Sequence, residues 1–226
     1  MPTHTQLSGA ENFRRVSTVT NLSQALRDAI LSGELPQGTQ LREETLAAQF
    51  GVGRSVLREA QRELVAEGLV IHKVNHGIFV TVINSEDILD IYLAREIVEV
   101  AAVTIMIGRR AEDVNFQQIE EAVAEMRRIA RSRKRLTDDQ IRRTFTLDLR
   151  IHQLMVELSN SPRLVRLYRN LSAEMSIYFS NVKTFRPEYL RQHEELLAAL
   201  RRMDQSSIDA VKEHLHRPMA EIATGL

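Results

Sequence analysis

Residues 51–70 read GVGRSVLREAQRELVAEGLV, and the way this stretch folds decides the first part of the chain. Gly51 and Gly53 flank a turn, after which Val56, Leu57, Ala60, Leu64 and Val65 recur at the spacing of one buried helix side. Arg54, Arg58 and Arg62 recur every four residues, so their guanidinium groups fall on nearly one line. Gly68 ends the helix. Two readings of the stripe stand. It is a solvated face whose arginines pair with Glu59, Glu63 and Glu67, or a surface made to lie against phosphates.

Upstream, Glu43–Phe50 is a second helix, with Leu46 and Phe50 four apart and Gly51 suited to the residue after its last turn. LPQGTQL (35–41) is a Pro–Gly loop, and Leu22, Leu26, Ile30 and Leu31 form a helical stripe that stops at Gly33. Downstream, LVIHKVNHGIFVTV (69–82) holds two β-rich runs around Asn75-His76-Gly77, a turn sequence. Helix, helix–turn–helix, then hairpin predicts a winged helix-turn-helix over residues 16–83. The first fifteen residues, MPTHTQLSGAENFRR, lack an apolar segment and read as a flexible tail, not a secretory signal.

Past residue 83 glycine appears only at 108 and 225, and helix formers dominate. The shift puts a boundary near Asn84-Ser85, with Ser85 the expected N-cap and Glu86 and Asp87 in the first turn. Periodicity predicts helices at 85–108, 112–133, 138–159, 161–182, 188–202 and 205–222, an all-α antiparallel helical bundle over residues 84–226. The fold class is therefore mainly α. The chain has no cysteine, which removes disulfides and thiolate metal sites and fits a cytoplasmic protein. No apolar run approaches the ~20 residues of a membrane span. Net charge is +0, so any affinity for DNA must come from a local patch.

In a helix-turn-helix the second helix enters the major groove with its N-terminal residues at the base edges. Arg54 and Ser55 occupy that end and Arg58 lies one turn on, which makes them the candidate DNA contacts. Arg62 fits the solvated reading better. His76 and Gly77 at the hairpin tip either reach the minor groove or form an ordinary turn.

The stretch from Leu22 to Val80 resembles the N-terminal domain of the GntR family of bacterial transcription regulators. The resemblance rests on the amphipathic first helix, the sGeLxxGtxL loop, LAxxFGV, the R-S/T-x-x-REA helix, EGLV and a glycine-tipped wing. It implies DNA contacts at Arg54, Ser55, Arg58, His76 and Gly77. Gly53, Val56 and Gln61 stand where the family usually has Ser, Pro and Leu.

In the second half, Asp148 and His152 lie four apart on one helix, and His193 and His214 lie on the last two. Three imidazoles and a carboxylate can hold a Zn-, Ni- or Mn-like ion and leave positions for a ligand. Equally, they can be separate surface histidines. Residues 85–222 resemble the FCD effector domain of the FadR-type branch. The matching motifs are Arg95-x-x-x-Glu99, Asp148-x-x-x-His152, Asn160–Leu164, His193 and Asp204, and a last-helix His. The resemblance implies metal ligands at Asp148, His152, His193 and His214, with Zn favoured. His216 rivals His214, because the gap from Asp204 is one residue shorter than usual. The two point about 200° apart, so one alone can face a cavity. The AV-x-x-HL pattern selects His214.

An open metal site with a cation beside it suits a small carboxylate effector, with Arg95 as the second contact, and the resemblance implies one of the lactate, sugar-acid or dicarboxylate type. Arg150 points off the Asp148/His152 face. RRIARSRKRL (127–136) is a solvated helix end or an accessory patch, and the methionines of the second half read as core filling.

The expected protein is a homodimeric, ligand-responsive transcription regulator on a pseudo-palindromic operator, because two half-sites combine affinities that one small head lacks. The rivals are a metalloenzyme using the Asp/His set and a DNA-binding scaffold with structural histidines. The first lacks a dedicated general base and leaves the DNA-reading domain without a purpose.

Overall fold

The computed structural model describes residues 9–109, 114–131 and 135–224. The chain divides into two compact units, Met1–Val82 and Ile83–Leu226.

The first unit contains α1 (Gly9–Ser32), α2 (Glu43–Phe50), α3 (Arg54–Ala66), β1 (Val70–Lys73) and β2 (Gly77–Val80). Helix α1 begins at Gly9, so the tail expected over 1–15 is helical in its second part; residues 1–8 lie outside the described residues. Val19, Leu22, Leu26 and Ile30 of α1 are buried against α3, whose inner side is Leu57, Ala60, Gln61 and Leu64. That departs from the periodicity at one place. Val65 is 39% exposed, and Gln61 is buried in its stead. Gln61 stays inside because its Nε2 donates to the Leu41 carbonyl at 3.2 Å, which offsets part of the cost of a buried amide. Phe50, expected on the inner stripe of α2 with Leu46, is 37% exposed.

Gly51 closes α2 with φ 63°, a conformation that costs an L side chain 1–2 kcal/mol or so. Strands β1 and β2 pair antiparallel from Val70↔Val80 to Lys73↔Gly77, and Asn75 (φ 62°) and Gly77 (φ 93°) turn the hairpin. The loop before α2 is more ordered than a Pro–Gly loop suggests. Its Thr39 carbonyl accepts from Val80 N (2.8 Å) and its Leu41 N donates to the Ile78 carbonyl (2.8 Å), so it edges β2.

The second unit is helical: α4 (Ser85–Gly108), α5 (Gln117–Ala130), α6 (Asp138–Leu158), α7 (Pro162–Phe179), α8 (Pro187–Leu200) and α9 (Gln205–Thr224). Helix α4 packs against α6, α7 and α9, α5 against α6 and α8, and α8 against α9. A helix with neighbours on several sides must be apolar around most of its circumference. Accordingly α4 buries Ile88, Ile91, Tyr92, Val98, Ala102, Val103 and Met106.

The α4 cap is Asn84, not Ser85. Asn84 Oδ1 accepts from the backbone N–H of Glu86 and Asp87, and the Asp87 carboxylate accepts from Asn84 N, a closed capping box. The helix expected over 112–133 is Gln117–Ala130; residues 110–113 and 132–134 lie outside the described residues. Within the basic run 127–136, Arg127 is tied to Glu194 of α8 at 2.7 Å. Met106, Met126, Met155 and Met175 are buried, but Met175 is more than filling, since its sulfur accepts from Arg95 Nη1. No helix among the described residues is long and apolar enough to cross a membrane.

Candidate functional site

Two surfaces carry chemistry, one in each unit. In the first, α3 is entered through Gly53, whose missing side chain leaves the helix without a side-chain cap, and no acidic residue sits in the first turn. The N–H groups and dipole of that end therefore stay available to an anion. Arg54, Ser55 and Arg58 are exposed there. Arg54 and Arg58 meet glutamates of α2, not the α3 glutamates of the solvated reading. Arg58 Nε lies 2.9 Å from both carboxylate oxygens of Glu43, and Arg54 is 3.8 Å from Glu44, both on α2. Two of the α3 glutamates serve α1 instead. Ser23 Oγ donates to Glu63 at 2.6 Å, and Arg27 grips Glu67 through Nε and Nη2 at 2.8 and 2.6 Å. Such two-pronged guanidinium–carboxylate contacts hold the α1–α3 angle as well as adding energy.

At the hairpin tip His76 is exposed, and its Nδ1 lies 2.8 Å from the Val74 carbonyl. Gln40 Nε2 donates to the His76 carbonyl at 2.7 Å, fastening the tip to the loop that edges β2. Lys73, a cation the sequence reading passed over, lies over the Phe79 ring at 4.8 Å.

In the second unit Asp148 and His152 (α6), His193 (α8) and His214 (α9) each present a donor atom, and the four atoms lie within 4.8 Å of one another. His152, His193 and His214 are buried. His216 is not part of the group: it is 57% exposed and lies 2.8 Å from Glu96. Arg150 turns away to Glu157 and Gln118.

Hydrogen bonding fixes the ring tautomers. His152 Nδ1 lies 2.7 Å from Glu99 Oε2, and His193 Nδ1 lies 2.7 Å from the Tyr189 carbonyl. Both partners can only accept, so both Nδ1 atoms carry a proton, and in a neutral ring Nε2 is left with the lone pair. His152 Nε2 faces His214 Nε2 at 3.1 Å. His193 Nε2 lies 2.9 Å from Asp148 Oδ1, yet off the line a hydrogen bond requires. Lone pairs converging this closely repel unless a cation or proton lies among them.

Electrostatics prepares the same state. Burial pushes the His152 pKa down, against the pull of Glu99, and burial with His193 and His152 alongside pushes His214 well down, so both stay neutral ligands. Burial would raise Asp148, but His193, His152 and Arg95 hold it well below the usual carboxylate range. Glu99 is likewise kept ionised, burial being outweighed by Arg95 and His152. A donor set of one carboxylate and three imidazoles, with His152 and His193 oriented from behind by Glu99 and the Tyr189 carbonyl, fits a divalent ion of the zinc or nickel kind.

Arg95 is 1% exposed. Its Nε donates to Glu99 Oε1 at 2.8 Å, its Nη1 to Met175 Sδ at 3.0 Å, and its Nη2 has no partner among the described residues. A cavity of about 170 Å³ is lined by Arg95, Asp148, His152, His193 and His214 and, beyond them, by aromatic rings. Sequence reasoning had Glu99 only as half of a motif. Its function as the hinge between Arg95 and His152 depends on pairing α4 with α6, which spacing alone does not reveal.

Residues 18–80 match the family model of bacterial regulatory proteins of the gntR family, and residues 90–217 match the FCD domain. The transcriptional repressor RspR of Escherichia coli K12 is 29% identical over 198 residues, spanning 84% of this chain and 82% of its own. The gluconate operon repressor of Bacillus licheniformis is 27% identical over 216 residues, 92% of this chain and 84% of its own. Among solved structures, a GntR transcriptional regulator from Rhodococcus sp. RHA1 superposes with a TM-score of 0.79 at 28% identity, over 93% of this chain and 99% of that one.

Proposed function

We infer, for a chain that belongs to the gntR family of bacterial regulatory proteins and carries an FCD domain, a homodimeric transcription regulator. A small carboxylate bound at a metal centre in the second unit changes its grip on operator DNA. The observation that carries this reading is the convergence of four ligand atoms within 4.8 Å, beside a buried guanidinium with an unmet donor, on one cavity. A divalent ion there supplies open positions and positive charge to a carboxylate. Arg95 Nη2 donates to the same anion, and Glu99 holds both Arg95 and His152 at fixed angles. The gluconate operon repressor is named for a sugar-acid operon, which agrees with a carboxylate class of effector.

On the DNA side Arg54, Ser55 and Arg58 read or clamp the major groove from the uncapped end of α3, and His76 with Gly77 approaches the minor groove. Association requires Arg58 to leave Glu43, so that ion pair sets part of the resting affinity. Dimerisation is supported by apolar side chains left outside: Leu93 (50% exposed) and Ile97 (73%) one turn apart on α4, and Leu167 (54%) on α7, which packs against α4. An enzymatic use of the metal site is disfavoured by its side chains. Glu99, the carboxylate nearest the ligands apart from Asp148, has both oxygens engaged and cannot serve as a mobile base.

The test is metal stoichiometry on the purified full chain and on a His152→Ala/His193→Ala variant. About one divalent ion per chain, lost in the variant, is the expected result. No uptake by either protein from added Zn²⁺ overturns the metal centre.

A further inference from the structure

The chain has seven Phe, four Tyr and no Trp. Five of these rings, Tyr92, Phe145, Tyr178, Phe179 and Tyr189, line the one cavity that also holds the four candidate ligands. They come from α4, α6, α7 and α8, so no local sequence pattern explains the gathering. Phe145 stacks on Phe179 with centroids 4.5 Å apart and planes 19° from parallel, and Tyr189 tilts against Phe145 at 6.4 Å. The cavity thus has two ends of different chemistry. One is the Asp/His cluster with Arg95; the other is an aromatic wall.

Size and polarity narrow what fits. A cavity of about 170 Å³ is close to the ~150 Å³ of an apolar protein cavity that takes up benzene. Two of the hydrogen-bonding groups on the lining are engaged by Glu221. Arg186 Nη1 lies 3.3 Å from Glu221 Oε2, and the Tyr189 hydroxyl is 3.4 Å from the same oxygen. Thr184, Gln192 and the hydroxyls of Tyr92 and Tyr178 are also on the lining and can meet a ring substituent. A polyhydroxy acid would set several hydroxyls against ring faces, and each hydroxyl stripped of water without a partner weakens binding. An aryl group instead gains offset or edge contacts with the stacked pair.

We propose that the effector is an aromatic monocarboxylic acid. Its carboxylate meets Arg95 and the Asp148/His152/His193/His214 end, and its ring lies among Phe145, Phe179 and Tyr189. The inference rests on the reading of this cavity as a carboxylate site and adds the body of the ligand.

The experiment is calorimetric titration of the Zn²⁺-loaded full chain with benzoate, phenylacetate and 4-hydroxybenzoate against lactate, succinate and gluconate. Tyrosine fluorescence is followed in parallel, since Tyr92, Tyr178 and Tyr189 all line the cavity and no Trp obscures them. At least one aryl acid is expected to bind ten-fold or more tighter than every aliphatic acid and to change the fluorescence. Phe145→Leu should cut that affinity about ten-fold while leaving Zn²⁺ content unchanged. An aliphatic acid that binds as tightly, or an aryl acid indifferent to Phe145→Leu, overturns the aromatic assignment and leaves the carboxylate site intact. Binding of none of the six acids by protein that holds its Zn²⁺ overturns both.

Discussion

At the scale of single residues, Glu99 decides how the site is held. One oxygen accepts from Arg95 Nε and the other faces His152 Nδ1, so one carboxylate sets both the proposed anion-binding cation and a candidate metal-ligand ring. Glu99→Gln keeps the shape but has one carbonyl oxygen for two donors, and its amide turns a donor toward one of them. Loss of such an outer partner costs 10–100-fold in metal affinity as a rule. Removing the anion that Arg95 Nε donates to, beside a buried guanidinium, also costs stability, on the order of 3 kcal/mol. The expectation is therefore a 10–100-fold weaker Zn²⁺ dissociation constant by competition with a chelating dye, together with a lower unfolding midpoint. Unchanged Zn²⁺ affinity would mean that His152 is oriented by packing and not by Glu99. Asp148 and His152 were legible as a candidate pair because Asp and His four apart is a local signal, whereas His193 and His214 were assigned as ligands through the family resemblance. Glu99 was not legible, since its role exists only once Glu99 and His152, 53 residues apart, meet.

At the scale of elements, termini and turns were the readable parts where a single residue fixes the backbone, as at Gly51 and Gly77. Reading failed where two residues competed for one role. Asn84 and Ser85 are both good caps, and the register of α4 chose the former. Asn84→Ala removes the acceptor for two N–H groups and opens the capping box, which costs about 1 kcal/mol. For a chain of this size that is a fall of about 2–4 °C in the thermal midpoint. Ser85→Ala at the first helical position should leave it unchanged. Equal effects of the two substitutions in a thermal melt would contradict the observed cap. The α3 stripe gives the same lesson in charge. Arginine spacing puts the three on one line, but it could not show the partners of Arg54 and Arg58, because α1 recruits Glu63 and Glu67 and α2 supplies Glu43 and Glu44. Periodicity also misplaced Val65 and Gln61, since it ranks residues by hydropathy and cannot foresee the Leu41 carbonyl that makes a buried amide tolerable.

At the scale of the whole molecule, a net charge of +0 means that long-range attraction does little to bring the protein to DNA. In the proposed dimer, affinity comes from a few cations placed against phosphates and from having two reading heads. Both leave a signature in salt. Each phosphate neutralised contributes about 0.9 to the slope of log affinity against log salt. Arg54, whose side chain is 66% exposed and only loosely matched by Glu44, is the proposed phosphate contact at the α3 terminus. In a protein that binds as a dimer, Arg54→Gln is present twice. It should flatten the slope by about two, where a monomer would lose about one. The assembly can be perturbed independently. Ile97→Glu puts a charge on the most exposed apolar residue of α4 and should convert the dimer to monomer in sedimentation. In that background operator affinity should collapse toward that of one head, and Arg54→Gln should then change the slope by about one. A slope change of about one in both backgrounds would mean that a single head meets DNA at a time, and would remove the argument for a paired operator. If Ile97→Glu leaves sedimentation unchanged, the outer face of α4 is not the dimer contact, while the salt slope still counts the heads on DNA.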